Sequence, residues 1–269
     1  MNIVVCVKYV PDATADRHFE EDSTVDRVGV DGLLSELDEY AVEQALQIKE
    51  NLSDGAGSQG EVTVVTVGPE QATDAIRKSL QMGADKGVHV VDDAIAGSDA
   101  LATSLVLAEA IKKLDGDNSW DLVVCGMAST DGSMSVVPAM LAERLGVPQV
   151  TMASEITVDG TNVKIRRDGD TATETIEGTT PLVLSVTDQS GEARYPSFKG
   201  IMAAKKKPLE TWSLADLGVE AEKVGLSAAW SQVESTEARP PRSQGEVVTD
   251  EEGSGAAKLT EYLASKKFI

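Results

Sequence analysis

The chain is short of positive charge, of aromatic side chains and of cysteine, and each shortage excludes something. Against 45 acidic residues stand only 24 Lys and Arg in 269 residues, a formal charge of −21. Binding a nucleic-acid backbone through released counter-ions needs clustered cations, so that class of function is excluded, as is adsorption to an anionic membrane surface. No apolar run approaches the roughly 18 residues of a spanning helix. The amino end reaches Lys8 after a few apolar residues with neither a cationic lead nor a small-residue cleavage site, and a cytoplasmic chain is expected. Aromatic residues make up 4% of the chain, which leaves the core to Val, Leu, Ile and Ala. The two cysteines, Cys6 and Cys125, each follow Val-Val and lack C-x-x-C spacing, so they read as small buried strand residues. Acidity spread along the whole chain suits a surface that stays hydrated in a salt-rich cytosol.

What is present is an alternation of strand and helix. Asn2 to Val7, Glu61 to Val67, Val88 to Val91 and Asp121 to Cys125 are apolar, β-branched runs of the kind that parallel sheets bury on both faces. Between them apolar residues recur at helical spacing: Ala41, Val42, Ala45, Leu46 and Ile48 behind Ser35 and Asp38; Ala72, Ala75, Ile76 and Leu80 behind Pro69 and before Gly83; Leu101, Leu105, Leu107, Ala108 and Ile111 behind Ser98 or Asp99. A fourth helix is expected from about Ser133 to Leu145, stopped by Gly146 and Pro148. Repeated β-α units predict an α/β fold with a doubly wound, mostly parallel sheet, whose ligands bind at the carboxyl ends of the strands. From Val150 the pattern changes. Ile156–Val158, Val163–Ile165, Thr173–Glu177 and Leu182–Thr187 read as antiparallel hairpins. Residues 1–204 are expected to form the nucleotide-binding domain and 205–269 an extended C-terminal arm, ending in a helix from Ala256 to Lys266 that docks either on this domain or on a partner.

Two glycine-rich stretches compete for a phosphate. Gly55-Ala56-Gly57-Ser58-Gln59-Gly60 spells G-x-G-x-x-G, but it follows a helix and precedes a strand, the reverse of what the dinucleotide mechanism requires. The stretch Gly126, Met127, Ala128, Ser129, Thr130, Asp131, Gly132, Ser133, Met134, Ser135 and Val136 leaves a strand and opens a helix. Small residues there let backbone N–H groups approach an anion, and Ser and Thr hydroxyls add donors. Asp131 suits a ribose hydroxyl or a helix cap. The stretch holds no Lys or Arg, so binding is favoured over phosphoryl transfer. Arg194 to Lys207 is a basic interruption of the acidic chain, with Phe198 and Met202 flanked by cations, as a docking surface for an acidic partner would be. His18 and His89 have no nucleophile or ligand set beside them in sequence, and no metal site is expected.

Six segments in order resemble one family: Val5-Cys6-Val7-Lys8 with Val10-Pro11-Asp12; Ala41-Val42-Glu43 with Ala45-Leu46; Gly68-Pro69; Ile76-Arg77-Lys78 with Met82-Gly83-Ala84-Asp85; Cys125-Gly126 with Asp131-Gly132; and Arg194-Tyr195-Pro196 through Gly200-Ile201-Met202 to Lys207. Together they are similar to the beta (small) subunit of electron transfer flavoproteins, from Met1 to about Gly218. The resemblance implies a Rossmann-like fold of the adenine nucleotide alpha hydrolase type. It also implies a heterodimer with an alpha subunit carrying FAD, which accepts electrons from dehydrogenases such as acyl-CoA dehydrogenases and passes them to a membrane quinone oxidoreductase, with no bond chemistry in this subunit. AMP is implied in the beta site, or a second FAD in electron-bifurcating members. By position the nucleotide pocket falls on Cys6, Lys8, Ser35, Asp38, Val67 and Gly126 to Val136. Arg167 matches an arginine near the flavin and the subunit interface. Phe198 matches the apolar anchor of a recognition loop, with Ile201, Met202, Lys205, Lys206 and Lys207 around it. The cradle departs from the family's frequent G-x-Q-A-x-D-G-D-T-x-Q, lacking its Gln and its second Asp. A free-standing ATP-binding stress or regulatory protein on the same sheet is the alternative from another class.

Overall fold

A computed structural model describes residues 1–15, 17–56, 60–114, 119–237, 240, 245, 247–250 and 253–269, without the side chains of 53–56. Its elements are β1 (Ile3–Cys6), β2 (Tyr9–Pro11), β3 (Gly32–Leu34), α1 (Glu36–Ala56), β4 (Val62–Val67), α2 (Thr73–Met82), β5 (Lys86–Val90), α3 (Ala100–Leu114), β6 (Leu122–Gly126) and α4 (Val137–Leu145). There follow β7 (Gln149–Ala153), β8 (Glu155–Asp159), β9 (Asn162–Asp168), β10 (Thr173–Thr179), β11 (Leu182–Val186), α5 (Phe198–Ala204), β12 (Leu209–Trp212), α6 (Leu214–Leu217) and α7 (Gly255–Ser265).

Seven strands form one sheet in the order β12-β5-β4-β1-β6-β11-β7, and every neighbouring pair is parallel. β1 is buried throughout because both faces are covered. Ile3 and Val5 pack with Val42 and Leu46 of α1 and Ile76 of α2, while Val4 and Cys6 pack with Val106 and Ile111 of α3 and Leu141 of α4. The chain runs outward from β1 through β4 to β5, then returns to place β6 on the other side of β1. The switch point of the sheet therefore lies between β1 and β6, where a doubly wound sheet opens its ligand crevice.

Two expectations need correction. Leu182–Thr187 is not a hairpin: Leu182–Val186 is β11, inserted in parallel between β6 and β7. All five of its residues are buried, the signature of a strand covered on both faces. The antiparallel additions are β8, β9 and β10, whose inward and outward residues alternate. Second, α4 begins at Val137 rather than near Ser133, because Ser133 and Ser135 adopt left-handed backbone angles (φ 51° and 56°) that a right-handed helix does not admit. Beyond β1, Pro11 closes β2, which pairs with β3 in a two-stranded ribbon.

Helix α3 is capped by Asp99, whose Oδ1 accepts from Ala102 N–H at 3.0 Å. Gly83 ends α2 with φ 147°. The G-x-G-x-x-G stretch lies between α1 and β4, with residues 57–59 outside those described. The chain divides into two compact units, Met1–Glu234 and Ser235–Ile269. β12, beyond Ala204, is the edge strand of the first unit's sheet, paired with β5. The second unit carries α7, where Leu259 and Tyr262 are exposed, as are Phe268 and Ile269 after it. Among the described residues no helix is long and apolar enough to cross a membrane.

Candidate functional site: a charged crevice at the switch point

The crevice is built from three chain segments that leave the sheet at adjacent strand ends. Just beyond β1, Lys8 turns its ammonium onto Asp131, donating to Oδ1 at 2.9 Å and lying 2.9 Å from Oδ2, with Ser129 Oγ at 3.4 Å. From the excursion between β2 and β3, Arg27 donates through Nη2 to Asp131 Oδ2 and through Nη1 to the Tyr9 carbonyl. Asp131 Oδ1 also accepts from the Gly132 N–H at 2.7 Å. The Asp131 side chain is only 2% exposed. Burial alone would raise its pKa, but the Lys8 charge and the hydrogen bonds from Ser129, Arg27 and Lys8 more than offset it, and the carboxyl stays well below the usual carboxylate range. Asp131 is thus a fixed anion neutralising two converging cations, not a helix cap.

Asp38, one layer deeper, behaves in the opposite way. Its Oδ2 accepts from the Lys8 N–H at 2.8 Å. Burial pushes its pKa up to about 7, with the charge of Asp131 adding to the shift and Lys8 opposing it. Gly126 is what allows this approach: a Cβ there would stand 2.5 Å from Asp38 Oδ1 and 2.8 Å from the Leu37 carbonyl. The first turn of α1 therefore seats directly against the end of β6. Ser35, just before α1, donates its N–H to the Lys8 carbonyl at 2.9 Å. Its hydroxyl is fully buried and has no hydrogen-bond partner among the described residues, which is unusual for a buried polar atom.

The loop from Met127 to Ser135 is half-buried at its start and exposed from Gly132. It runs into the amino end of α4, where Val136 supplies no side-chain cap and Pro138 has no N–H to offer. The remaining first-turn N–H groups face the loop with a positive dipole end. Val67 closes β4 beside the end of β1, half-buried. Cys6 and Cys125 lie buried just beneath, opposite one another on β1 and β6. An uncapped helix end, two cations and an unpaired hydroxyl fit the phosphate and hydroxyls of a nucleotide.

Arg167 lies elsewhere, on β9. It donates to the Thr151 carbonyl at 2.8 Å and to Thr151 Oγ1 at 3.0 Å, and it pairs with Glu174 at 3.5 Å. Thr151 belongs to β7, at the far edge of the sheet.

The basic segment forms a second surface. Arg194 clamps it to α1 through Glu43 (2.7 and 3.0 Å) and Glu50 (2.6 and 3.0 Å). What composition suggested as a loop is in part helix: Ser197 Oγ caps α5 by accepting from Gly200 N–H at 3.0 Å. Gly200 itself lies against the end of α2, where a Cβ would meet the Gln81 carbonyl at 2.5 Å. Phe198 is 81% exposed and Met202 48%, with Ile201 beside them and Lys205 and Lys206 exposed. Lys207 does not share that role. Its Nζ donates to the Leu80 and Ala84 carbonyls at 3.0 and 2.6 Å, closing the carboxyl end of α2, and burial lowers its pKa.

Sequence reasoning placed Lys8 in this pocket but missed Arg27. Nothing local marks Arg27, because its contact exists only once the β2–β3 ribbon folds the excursion back over Asp131. The depth of Asp38 had a signal in hindsight, the glycine that ends β6.

The model of the electron transfer flavoprotein domain matches residues 22–217. The electron transfer flavoprotein subunit beta of Mycobacterium bovis is 46% identical over 269 residues, covering all of this chain and 99% of the relative. That of Clostridium acetobutylicum is 35% identical over 269 residues, covering all of both chains. The caffeyl-CoA reductase-Etf complex subunit CarD of Acetobacterium woodii is 35% identical over 266 residues, covering 99% of this chain and 97% of the relative. With a domain match across most of its length and full-length relatives at these identities, the chain belongs to the electron transfer flavoprotein family, among its beta subunits.

Proposed function

We propose that the chain pairs with an alpha subunit to form a heterodimeric electron carrier, taking electrons from dehydrogenases, acyl-CoA dehydrogenases among them, and passing them to a membrane quinone oxidoreductase. The subunit performs no bond chemistry of its own and works in a salt-rich cytosol. FAD, held with the alpha subunit, supplies the electron chemistry, and the protein contributes position and electrostatics. AMP occupies the switch-point crevice. Its phosphate faces Lys8, Arg27 and the open end of α4; Ser35 and Ser129 offer hydroxyls; Cys6, Asp38, Val67 and Gly126 shape the floor. Arg167 lies toward the flavin and the subunit interface. Phe198, Ile201 and Met202, ringed by Lys205 and Lys206, meet the donor dehydrogenase, and the arm with α7 docks on the alpha subunit.

The observation that carries this reading is the convergence of two cations, a buried unpaired hydroxyl and an uncapped helix end at the switch point of a sheet whose family is known. A second reading, two FAD molecules per heterodimer, is favoured by the relative whose name makes it a subunit of a caffeyl-CoA reductase-Etf complex. Coexpression with a candidate alpha subunit tests both. A copurified pair with a flavin spectrum, releasing one FAD and one AMP on extraction, is the expected result. Two FAD and no AMP establish the second reading, and a colourless single chain that binds ATP sinks both.

A further inference from the structure

The chain has two cysteines in 269 residues, and the fold brings them face to face. Cys6 and Cys125 are register partners on the parallel neighbours β1 and β6. Adjacent strands set such partners about 4.8 Å apart at Cα, inside the roughly 4.4–6.8 Å over which two cysteines can be bridged. Both side chains enter the core cluster under α3 and α4, with Val4, Val123 and Leu141. They point the same way, into one core cluster.

We propose that Cys6 and Cys125 form a single two-thiol site, closed to an intrachain disulfide by a two-electron oxidant of the azodicarboxamide class and bridged by a trivalent arsenical. In the first reaction both S–H bonds break and one S–S bond forms; the azo group takes up the two electrons and two protons and becomes the hydrazide. In the second no electrons move: two S–H bonds and the As=O of phenylarsine oxide become two As–S bonds and water. The adjacent Cys6 thiol, burial and the neighbouring Asp38 push the Cys125 thiol well above its ordinary value, so reagents that need a single thiolate react slowly. Reagents that join both sulfurs gain from proximity, because the second bond forms within one molecule. The link would tie β1 to β6 at the switch point, one residue before Gly126 and two before Lys8.

The test uses the full chain copurified with its alpha subunit. The folded complex is treated with diamide or phenylarsine oxide, denatured in excess N-ethylmaleimide, and the mass of this chain is read. Untreated chain takes two maleimides; after either reagent the expected uptake is none. Diamide also yields a linked peptide pair containing Cys6 and Cys125, which dithiothreitol reverses. Cys6→Ala and Cys125→Ala each take one maleimide whether treated or not. Two maleimides taken up by treated wild type overturn the proposal, as does a link to another chain or protection that survives in the single-cysteine variants. The wild-type arms decide the matter even where a variant does not fold.

Discussion

The crevice loop, residues 126–136, and the basic segment, residues 194–207, are both polar interruptions of a Val- and Ala-rich fold, yet they are assembled in opposite ways. The crevice takes its charges from far apart in sequence. Lys8, Arg27 and Asp38 arrive from three segments, and buried Asp131 holds two of them. The basic segment is anchored at its ends, by Arg194 on α1 and by Lys207 at the end of α2, and its middle is left to solvent. One region stores electrostatic free energy in buried carboxyl groups; the other stores almost none between its anchors. Substitutions should therefore move stability strongly in the first region and at the anchors of the second, and hardly at all on the face of α5.

The largest expected effect is at Asp38. Its pKa of about 7 in the fold lies above the ordinary 3.8, so between these values the native state holds a proton that the unfolded chain has released. Stability must then fall as pH rises from about 4 to about 7. Asp38→Asn keeps an acceptor for the Lys8 N–H and removes the titration. Relative to the parent, the variant should gain about 2–4 kcal/mol between pH 4 and pH 8, read from urea midpoints at each pH. Parallel profiles for the two proteins would show that Asp38 is ionised and solvated, and would erase the contrast between the regions.

Asp131 comes next, with the opposite sign. Its carboxyl is held below the ordinary range, so its contribution is fully present above about pH 4 and is lost as pH falls further. Asp131→Ala leaves Lys8 and Arg27 facing each other without their anion. Both are partly solvated, so the expected loss at pH 7 is about 2–3 kcal/mol. Unchanged stability would mean that the cations find water as readily as they find Asp131.

At the anchor of the other region, Arg194→Ala strands Glu43, whose side chain is 6% exposed. A loss of about 2 kcal/mol is expected, and Arg194→Lys should recover only part of it, because an ammonium cannot reproduce the forked contacts to two carboxylates. A loss as small as that of an exposed pair, below about 0.5 kcal/mol, would make the anchor dispensable.

How legible each region was in the sequence follows from the same contrast. The buried runs of β1, β4 and β6 and the helical stripes of α1 to α3 are local patterns, and they place Lys8, Ser35 and the 126–136 loop at neighbouring strand ends. Phe198 and Met202 beside Lys205 and Lys206 stand out by composition alone. What escaped depends on contacts between distant residues. Arg27 reaches Asp131 only through the β2–β3 ribbon, and Lys207 looks like its two neighbours until the carbonyls of α2 are in place. Leu182–Val186 reads equally well as a hairpin strand or a parallel one, since a short apolar run does not say which neighbours it will find. β12 is an edge strand with three of its four residues exposed, so its place in the sheet is a matter of pairing with β5 and leaves no apolar pattern.

The smallest expected change in stability is also the sharpest test of the comparison. Phe198 exposes 81% of its surface on α5, so Phe198→Ala gives up little buried area and should shift stability by no more than about 0.5 kcal/mol. If the α5 face serves partners rather than the fold, the same variant should slow flavin reduction by a donor dehydrogenase at least tenfold, which corresponds to about 1.4 kcal/mol. Reversing Lys205 and Lys206 to Glu should slow it further at low salt and less at high salt, because exposed charges steer encounter and are screened. Lys207 is left unchanged in that experiment, since its ammonium belongs to the end of α2 and its loss would mix folding with docking. Full donor activity in both variants, at unchanged stability, would strip the face of its assigned role and leave the basic segment as a solvated turn held at two ends.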